Sequence, residues 1–403
     1  MQLTEQHIIK DDRFKDWCIK AKDLYNQSLY YWRQSLFGNI QYFNEYELVG
    51  LLQEYNDDKF RALPANTSQQ IIKYLFKSVK AWQNSRKEYV KNPSKFNGKP
   101  KLPKYKKELS CLYFTYAQIK PKDGYLRFPK MMNLPPIKTK VKRSDFKQCR
   151  IIPRNDHFVV EIIYEKSEVL EKKFNSIVMG LDMGVNNLVS CSINTGYTFI
   201  INGKPIKSIN QFFNKRSSNL QKTLPQKQNT SPRIRRIAFK RNQKIKNYMH
   251  HASKYIINEA IKNDVSTIVI GNNKNWKHEI NMGKKVNQTF ASIPYQILIG
   301  QIEYKARLQG IQTITTEESY TSKCSFLDKE SLNKHEKYAG KRVKRGLFET
   351  AKGLKVNADI QASCNIIRKV FPDLIFSDGI VSCLVQPVKI KDFNNKSHNK
   401  QID

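Results

Sequence analysis

The order of apolar segments in the second half of the chain restricts the possible fold more than any other feature. Short apolar runs bounded by turn residues indicate strands, whereas longer runs with apolar residues every three or four positions indicate helices. The predicted elements are strands at 177–181, 188–192 and 197–201, a helix at 232–263, a strand at 267–270, a helix at about 289–309, a strand at 312–316 and a helix at about 358–370. The order β-β-β-α-β-α-β-α predicts an α/β protein with an RNase H-like nuclease domain that carries long insertions.

The first half of the chain mixes strand and helix patterns. Residues 2–9 predict a strand, and apolar residues at helical spacing follow from Phe14 onwards. A connector rich in lysine, proline and glycine occupies 93–107, where helices cannot continue. Residues 110–166 look β-rich, with a predicted hairpin turn at 154–157. This layout predicts a small β-domain interrupted by a helical module.

The last helix of that module is predicted to start after Pro64, with its N-cap among residues 66–68. Its apolar stripe is Ile72, Leu75, Phe76, Val79 and Trp82. The opposite face is basic and includes Lys73, Lys77 and Lys80. Such a face is often merely solvated, but the charge of the whole chain favours contact with nucleic-acid phosphates.

Positive charge dominates the composition. Lys and Arg number 71 against 35 Asp and Glu, which gives a formal net charge of +36. An excess of this size repels itself in a compact fold unless polyanions neutralise it, so nucleic acid is the expected partner. The alternatives are a basic protein without such a partner and a membrane-surface binder. Because basic residues run along the whole chain, a long duplex or a folded RNA fits better than one recognition helix.

Other sequence features predict a cytoplasmic, nucleoid-associated protein with no membrane partner. No apolar run approaches the length of a membrane span. The N-terminal stretch MQLTEQHIIKDD lacks the basic-then-apolar pattern of a secretory signal. The seven cysteines are scattered, at positions 18, 111, 149, 191, 324, 364 and 383. Reduced thiols are the simpler interpretation of that spacing.

A few acidic residues lie where predicted strands end or helices begin. Asp182 ends the strand at 177–181, Asp359 opens the last helix, and Glu317 and Glu318 follow the last strand. Taken singly, each has an ordinary explanation, such as a turn residue or a first-turn Asp favoured by the helix dipole. Taken together, they predict a site for two Mg²⁺ ions. Phosphodiester cleavage by metal ions needs about three converging carboxylates, and Mg²⁺ prefers hard oxygen ligands.

Several stretches of the chain resemble one known family. They are GLDMGVNNLVSC from residue 180, RIRRIAFKRNQKIKNYMHHASKYIINEA from 233, EYKARLQGI from 303, YTSKCS from 320 and NADIQASCNI from 357. In this order, over most of residues 175–372, they resemble the TnpB (OrfB) family. That family comprises RNA-guided nucleases of bacterial and archaeal insertion sequences, which are relatives of the type V CRISPR effectors. The first 170 residues are similar in layout only.

The resemblance implies a RuvC-type nuclease that takes a guide RNA from the transposon end, pairs it with a double-stranded DNA target and cuts the DNA. Recognition of duplex shape and backbone would account for the diffuse charge. By position, Asp182 would be the first catalytic carboxylate and Asp359 the last. The residues expected to contact RNA or heteroduplex phosphates are Arg233, Arg235, Arg236, Lys240, Arg241 and Lys244. One RNA-bound monomer is the expected state.

The chain departs from the family pattern where a catalytic glutamate is expected. The corresponding strand reads STIVIGNNKNWK, and the position of the acid is Gly271, followed by Asn272 and Asn273. The neighbouring strand is followed by Glu317 and Glu318, and adjacent strand residues point to opposite faces. We therefore expect a rearranged site of Asp182, Asp359 and one of these two glutamates.

A second departure concerns the zinc ribbon of the family, which uses two C-x-x-C pairs. Here Cys324 is the one cysteine kept from both pairs, and with His335 it cannot complete a four-ligand site. Zinc is therefore not expected. The residues expected to pack this lobe instead are Phe326, Leu327, Leu347 and Phe348.

These observations give a division of the chain and three candidate functions. The predicted parts are a wedge-like β-barrel domain at 1–10 and 93–172, a helical recognition module at 11–92, a RuvC-like domain at 173–319 and 354–372, a degenerate ribbon at 320–353 and a flexible tail at 373–403. The leading hypothesis is an active RNA-guided DNA endonuclease. The alternatives are a nuclease-dead RNA-guided repressor of transcription and a basic RNA-binding or structural protein.

Overall fold

The structure is a computed structural model that describes residues 1–38, 43–226, 228–272, 292–390 and 393. It contains two compact units, 1–167 and 168–403. Asn273 and the predicted helix start at 289 lie outside the described residues. Over the described part of the chain, no helix is long and apolar enough to cross a membrane.

The described residues of the first unit form two antiparallel sheets and four α-helices. Its elements are β1 (Gln2–Ile9), α1 (Arg13–Phe37), α2 (Glu45–Glu54), α3 (Asp58–Arg61), α4 (Ala65–Lys91), β2 (Leu112–Thr115), β3 (Pro121–Lys122), β4 (Tyr125–Leu126), β5 (Ile137–Lys138), β6 (Phe146–Pro153) and β7 (Phe158–Glu165). The larger sheet has the order β1-β7-β6-β2 and the smaller β3-β4-β5. The predicted hairpin turn is confirmed, because Arg154 N donates to His157 O at 2.9 Å.

The helices and strands of this unit share one hydrophobic core. Phe14 and Trp32 of α1 and Leu75 of α4 are fully buried together with Phe114 of β2. Phe14 also stacks on Phe158 of β7, with ring centroids 5.7 Å apart. The predicted division into a β-domain and a helical module therefore describes the connectivity of the chain rather than two separate cores.

The start of α4 differs from the predicted N-cap. The helix begins at Ala65, and Pro64 precedes it without a side-chain capping hydrogen bond. Thr67 and Ser68 lie buried inside the first turn, where Ser68 Oγ donates to Phe60 O at 2.6 Å. The N-cap prediction among residues 66–68 is wrong because these polar side chains serve tertiary contacts instead.

In the part of the second unit that the structure describes, six strands form a mixed sheet. Its elements are β8 (Val178–Met183), β9 (Asn187–Ile193), β10 (Tyr197–Asn202), α5 (Lys204–Gln221), α6 (Pro232–Lys262), β11 (Thr267–Gly271), α7 (Tyr295–Arg307), β12 (Gln312–Thr316), β13 (Lys341–Lys344), β14 (Leu347–Glu349), β15 (Lys355–Asn357), α8 (Ala358–Val370), α9 (Ile380–Val385) and β16 (Val388–Ile390). The sheet order is β12-β11-β8-β9-β10-β16. Strands β8 to β10 are antiparallel, whereas β11 and β12 run parallel to β8. The element order and mixed α/β fold agree with the sequence.

Both faces of this sheet are covered, and the faces alternate along each strand. Met179 and Ile268 belong to the core that α6 and α7 complete. Val178 and Val269 instead pack against Ile366 and Ile367 of α8. Alternation of this kind means that every second residue of β8 and β11 faces α8.

Gly180 allows α8 to approach the sheet closely. A Cβ at this position would lie 2.3 Å from the carbonyl oxygen of Ser363, which is fixed helix backbone. Any side chain would therefore push α8 away from β8.

Two features of the second unit differ from the sequence prediction. The segment after β10 forms α5, whereas the sequence indicates only a basic stretch. The flexible tail predicted for 373–403 is wrong for its first part, because α9 and β16 are formed and Ile380, Leu384 and Ile390 are buried. β16 pairs parallel to β10 and supplies the edge strand. Residues 391–392 and 394–403 lie outside the described residues.

Candidate functional site

Asp182 and Asp359 lie on the α8 side of the sheet. Asp182 is one alternation step beyond Gly180 on β8, so its side chain faces α8. Asn357 caps α8 by accepting from the backbone N–H groups of Asp359 and Ile360, each at 3.1 Å. This cap places Asp359 in the first turn of the helix. The two aspartates that the sequence singled out are thus directed to one side of the sheet.

The Glu318 side chain fills the space beside Gly271, the position where the family resemblance predicts a catalytic glutamate. A Cβ built on Gly271 would lie 2.6 Å from Glu318 Oε1 and 2.7 Å from Glu318 Cγ. β12 pairs in parallel with β11, with Thr316 opposite Gly271, and the chain then bends so that Glu318 covers the end of β11. The carboxylate therefore stands beside the backbone position from which the family glutamate would extend.

Glu317 points elsewhere. Its side chain is 68% exposed, and its Oε2 lies 3.9 Å from Lys369 Nζ. Sequence alternation left Glu317 and Glu318 as equal candidates. The structure buries Glu318 where its charge acts on Asp182 and leaves Glu317 at the surface, which favours Glu318 of the two candidates.

The turn that carries Glu318 is fixed by hydrogen bonds. Thr321 donates to Glu318 O from both its backbone N and its Oγ1, at 3.2 and 2.8 Å. Asn365 of α8 donates its Nδ2 to Thr321 O at 2.9 Å and to Cys324 O at 2.8 Å. Because Asn365 is fully buried, these bonds are shielded from water, and they fix the turn to α8.

The three carboxylates influence each other electrostatically. Burial raises the pKa of Asp182 well above its usual range, and Glu318 and Asp359 raise it further, while Arg342 lowers it. Burial also raises the pKa of Glu318 to about 7, against the opposing charge of Lys369. Burial and then the charges of Asp182 and Glu318 raise the pKa of the Tyr295 phenol. A cluster of this kind favours a cation that would neutralise it.

Arg342 and Asn187 hold Asp359, and sequence reasoning missed both. Arg342 Nη2 donates to Asp359 Oδ1 at 3.1 Å, and Asn187 Nδ2 donates to Asp359 Oδ2 at 2.7 Å. Asn187 lies in the GLDMGVNN stretch, so its proximity to Asp182 in sequence was a usable signal. Arg342 comes from the exposed strand β13, where no sequence pattern marks it.

The donor set suits a hard divalent ion, although the ligands are not preassembled around one point. All three side chains supply carboxylate oxygens, which Mg²⁺ prefers. In the described ranges, no group of three His, Cys, Asp or Glu side chains stands close enough to hold a metal. Both oxygens of Asp359 accept hydrogen bonds from protein groups instead.

Glu318→Gln is expected to stabilise the chelator-treated protein at pH 8. A carboxyl group with a pKa of about 7 in the folded state and 4.5 in the unfolded state is protonated in both states below about pH 4.5. The free energy of unfolding therefore falls as the pH rises from about 4.5 to about 7 and stays reduced above pH 7. Urea unfolding should give a gain of about 1–3 kcal/mol at pH 8 and a much smaller one near pH 4.5.

Glu317→Gln is the control for that experiment because its carboxylate is exposed. We expect its free energy of unfolding to stay within about 0.5 kcal/mol of the wild type at both pH values. An equal loss of stability at both pH values in Glu318→Gln would contradict the electrostatic account.

The lobe at 320–353 is held together without cysteine pairs. Burial and the charge of Glu330 raise the pKa of the Cys324 thiol, which donates to Asn333 O at 3.7 Å. Of the residues predicted to pack the lobe, Phe326 and Phe348 are buried in one cluster and Leu327 packs against it. Leu347 lies outside that cluster, which corrects its predicted role.

The carboxylates of Asp328 and Glu330 connect separate turns of the lobe at 320–353. Asp328 Oδ2 accepts from Ser325 Oγ at 2.6 Å and from Ala351 N at 2.9 Å. Glu330 accepts from Ser325 N at 2.7 Å and Ala339 N at 2.9 Å. Asp328 therefore bridges the turn after Cys324 to the turn that replaces the second cysteine pair.

Asp328→Ala is expected to destabilise the second unit by about 1–3 kcal/mol, because it leaves the buried Ser325 hydroxyl and the Ala351 N–H without their acceptor. Asp328→Asn keeps an acceptor oxygen and should lose less. Urea unfolding measures both variants, with and without a zinc chelator. A fall in stability of the wild type on chelation would contradict a lobe that is independent of metal.

A basic groove lies between α5 and α6. It has a volume of about 510 Å³, and we call it the α5–α6 groove. Of the residues predicted to contact nucleic acid, those lining it are Arg233, Arg236, Lys240, Arg241 and Lys244. Arg235 is not among the lining residues, and its Nε is buried without a hydrogen-bond partner in the described part of the chain. On the first unit, Lys73, Lys77 and Lys80 are exposed along α4 as predicted.

Arg241 differs from the other basic residues of the groove. Its guanidinium donates to Asn210 Oδ1 at 2.7 Å, Asn242 Oδ1 at 2.8 Å and Ser292 O at 2.9 Å. Burial lowers its pKa. Arg241 thus links α5, α6 and the segment that leads into α7, which makes it a support for the groove.

Family comparisons cover most of the second unit. A family model described as "Probable transposase" (OrfB_IS605) matches residues 158–277. A second, described as "Cas12f1-like, TNB domain", matches residues 295–366. The second match contains β12, Glu318, the lobe at 320–353 and most of α8.

Two curated relatives agree with these matches. A TnpB-like protein, ORF457, of Acidianus two-tailed virus is 27% identical over 217 residues, which are 51% of this chain and 44% of the relative. A TnpB-like protein, MJ0751, of Methanocaldococcus jannaschii is 26% identical over 188 residues, which are 45% of this chain and 66% of the relative. The chain thus spans less than half of the first relative and about two thirds of the second.

Two solved structures align with most of this chain at low sequence identity. A Cas12f1–sgRNA–target DNA complex is 18% identical, covers 90% of this chain and 98% of its own, and has a TM-score of 0.38. The mini-RNA-guided endonuclease CRISPR-Cas_phi3 is 11% identical, covers 91% of this chain and 92% of its own, and has a TM-score of 0.49.

The sheet order defines a mixed α/β protein, with Asp182 on β8 and Asp359 on α8 directed to the same side of the sheet. The two family models and the TnpB-like relatives, each of which covers about half of this chain or less, show that this part of the chain is similar to the TnpB family.

Proposed function

We propose that this protein is an RNA-guided DNA endonuclease encoded by an insertion sequence, with a RuvC-like site formed by Asp182, Glu318 and Asp359. The observation that carries the proposal is the position of Glu318. Its carboxylate stands over Gly271, beside the strand end where the family acid is missing, and acts on the pKa of Asp182. A chain that had lost its nuclease would have no chemical need to replace that acid.

In this proposal the parts of the chain keep the roles that the family resemblance implies. Residues 173–319 and 354–372 form the RuvC-like domain, and 320–353 form the ribbon-derived lobe. The sheets and helices of residues 1–172 form a wedge-like barrel with a helical recognition module. The protein acts as a monomer bound to one RNA in the bacterial cytoplasm, near the nucleoid.

The proposed cofactor is Mg²⁺, bound as two ions by Asp182, Glu318 and Asp359. When bound, the ions would activate a water and stabilise charge on the attacking and leaving oxygens. Burial raises the pKa of both Asp182 and Glu318, and the charge of Glu318 raises that of Asp182 further, so a divalent cation would favour the charged form of both carboxylates. Asn187 orients Asp359 by its hydrogen bond to Oδ2. Arg342 neutralises part of the charge of the same carboxylate.

The proposed partners are a guide RNA from the transposon end and a double-stranded DNA target. The formal net charge of +36 supports a polyanion of large footprint. Exposed basic residues on α4 and in the α5–α6 groove would contact phosphates of the bound nucleic acid, which position it without reading its sequence. Arg241, whose donors are occupied by protein oxygens, would support the groove instead.

Cleavage of a guide-matched plasmid tests the proposal. The protein is purified with co-expressed RNA from the flank of its own element, and Mg²⁺ and the plasmid are added. We expect the wild type to cut the matched plasmid in Mg²⁺ but not in chelator, and Asp182→Ala to bind the plasmid without cutting it. Guide-dependent binding of the wild type without any cut would overturn the nuclease and support a guided repressor. Binding that ignores the guide would overturn both.

A further inference from the structure

The α5–α6 groove contains two phenylalanines among its basic side chains. Phe212 and Phe213 of α5 line it together with Arg216, Arg233 and Arg236. Phe212 is 64% exposed to solvent, which is unfavourable for an aromatic ring unless a partner covers it. Among the described residues that line the groove, none is acidic. The groove therefore combines an anion-attracting rim with an open aromatic surface.

The aromatic rings are held by neighbouring cations. The Arg216 guanidinium lies 5.8 Å from the ring centroid of Phe212. The Arg241 guanidinium lies 5.8 Å from the ring centroid of Phe213 and is itself fixed by its three oxygen acceptors. Cation–π contacts at this distance favour one ring orientation. The aromatic surface is therefore organised before any ligand arrives.

Phosphate contacts do not explain the phenylalanines. The outer surface of a paired duplex offers phosphates and sugars, which basic side chains bind without help from aromatic rings. Unpaired bases are different, because each exposes a flat face that stacks on an aromatic ring, while the adjacent phosphates bind Lys and Arg. A groove of about 510 Å³ lies within the usual size range of ligand pockets.

We infer that the α5–α6 groove binds a single-stranded segment of nucleic acid by stacking an unpaired base on Phe212, with Arg233, Arg236 and Lys244 on its phosphates. The inference deepens the proposed function, because it assigns this groove to an unpaired strand rather than to the guide–target duplex. It does not depend on cleavage. The strand can be RNA or displaced DNA, since both present the same bases and phosphates.

The test removes the Phe212 ring from the protein and the bases from the nucleic-acid probe, separately and together, and compares the affinities. The full-length protein without guide is titrated with four labelled probes of equal length: single-stranded DNA, single-stranded RNA, a fully abasic DNA chain and a paired DNA duplex. We expect Phe212→Ala to weaken binding of at least one base-containing single strand by about tenfold. The same variant should leave the abasic chain and the duplex within about twofold of wild type. The DNA and RNA arms identify which strand is preferred.

Matched variants separate stacking from general effects. Phe212→Trp keeps a stacking surface and should retain binding of the single strand. Tyr55→Ala removes another exposed aromatic ring, 74% exposed and far from the groove in sequence, and should have no effect on any probe. Equal weakening of the abasic or duplex probes by Phe212→Ala would overturn the inference, as would unchanged binding of both single strands. Neither result depends on whether the protein cuts DNA.

Discussion

Glu318→Gln is expected to reduce guided plasmid cleavage by roughly 10²–10³-fold, the usual loss when a group that stabilises transition-state charge is removed. The amide keeps the size of the side chain over Gly271 but removes its negative charge. It therefore weakens metal binding without opening a cavity, and binding of the guide RNA and the target should be unchanged.

The neighbouring Glu317→Gln is the matched control. Its side chain is 68% exposed and lies beside Lys369, so we expect cleavage within about threefold of the wild type. The two variants are compared on the same matched plasmid, with a gel-shift measurement of target binding in each case. Loss of cleavage in Glu317→Gln with normal cleavage in Glu318→Gln would reverse the assignment.

The combination Gly271→Glu with Glu318→Ala is expected to restore most of the cleavage that Glu318→Ala alone loses. Removing the Glu318 side chain vacates the space that a Cβ at 271 would occupy, leaving Ile366 Cδ1 at 2.7 Å as the remaining close contact. That atom ends a flexible side chain and can shift. A glutamate at the end of β11 would then place its carboxylate close to where Glu318 places it now. We expect cleavage by this double variant to be within about tenfold of the wild type.

Two further variants separate the effect of the negative charge at position 271 from the effect of the side-chain shape. Gly271→Gln with Glu318→Ala has the same shape without the charge and should stay inactive. Gly271→Ala alone should reduce cleavage, because its methyl group would displace the Glu318 carboxylate. No recovery in the Glu variant, with normal folding by circular dichroism, would mean that position 271 and Glu318 do not serve one site.

The sequence predicted the elements of the second unit correctly where buried residues recur with the periodicity of a strand or a helix. β12 and α8 have the predicted bounds, because both are bordered by clear turn and capping residues. α5 was missed because most of its residues are polar and two of its buried residues are Asn210 and Ser217, which weakens the apolar pattern that Ile206, Ile209 and Phe213 form. β16 was missed because its short segment is ordered by pairing with β10, which is a tertiary contact.

The candidate site was predicted in part. The positions of Asp182 and Asp359 follow from where β8 ends and α8 begins, both of which the sequence marks. The choice between Glu317 and Glu318 could not be made, because both lie beyond β12, where strand alternation no longer applies. That choice depends on a turn held by Asn365 from α8. Arg342 reaches Asp359 from an exposed strand, and only the fold brings the two together.

The most direct test of the relocated acid is anomalous diffraction from crystals of the protein grown with Mn²⁺ in place of Mg²⁺. We expect manganese at the carboxyl ends of β8 and β11, with carboxylate oxygens of Asp182 and Glu318 at about 2.1 Å. Glu318→Gln crystals should lose that manganese. A manganese ion held by Asp182 and Asp359 with Glu318 turned away, or one that remains in Glu318→Gln, would contradict the account.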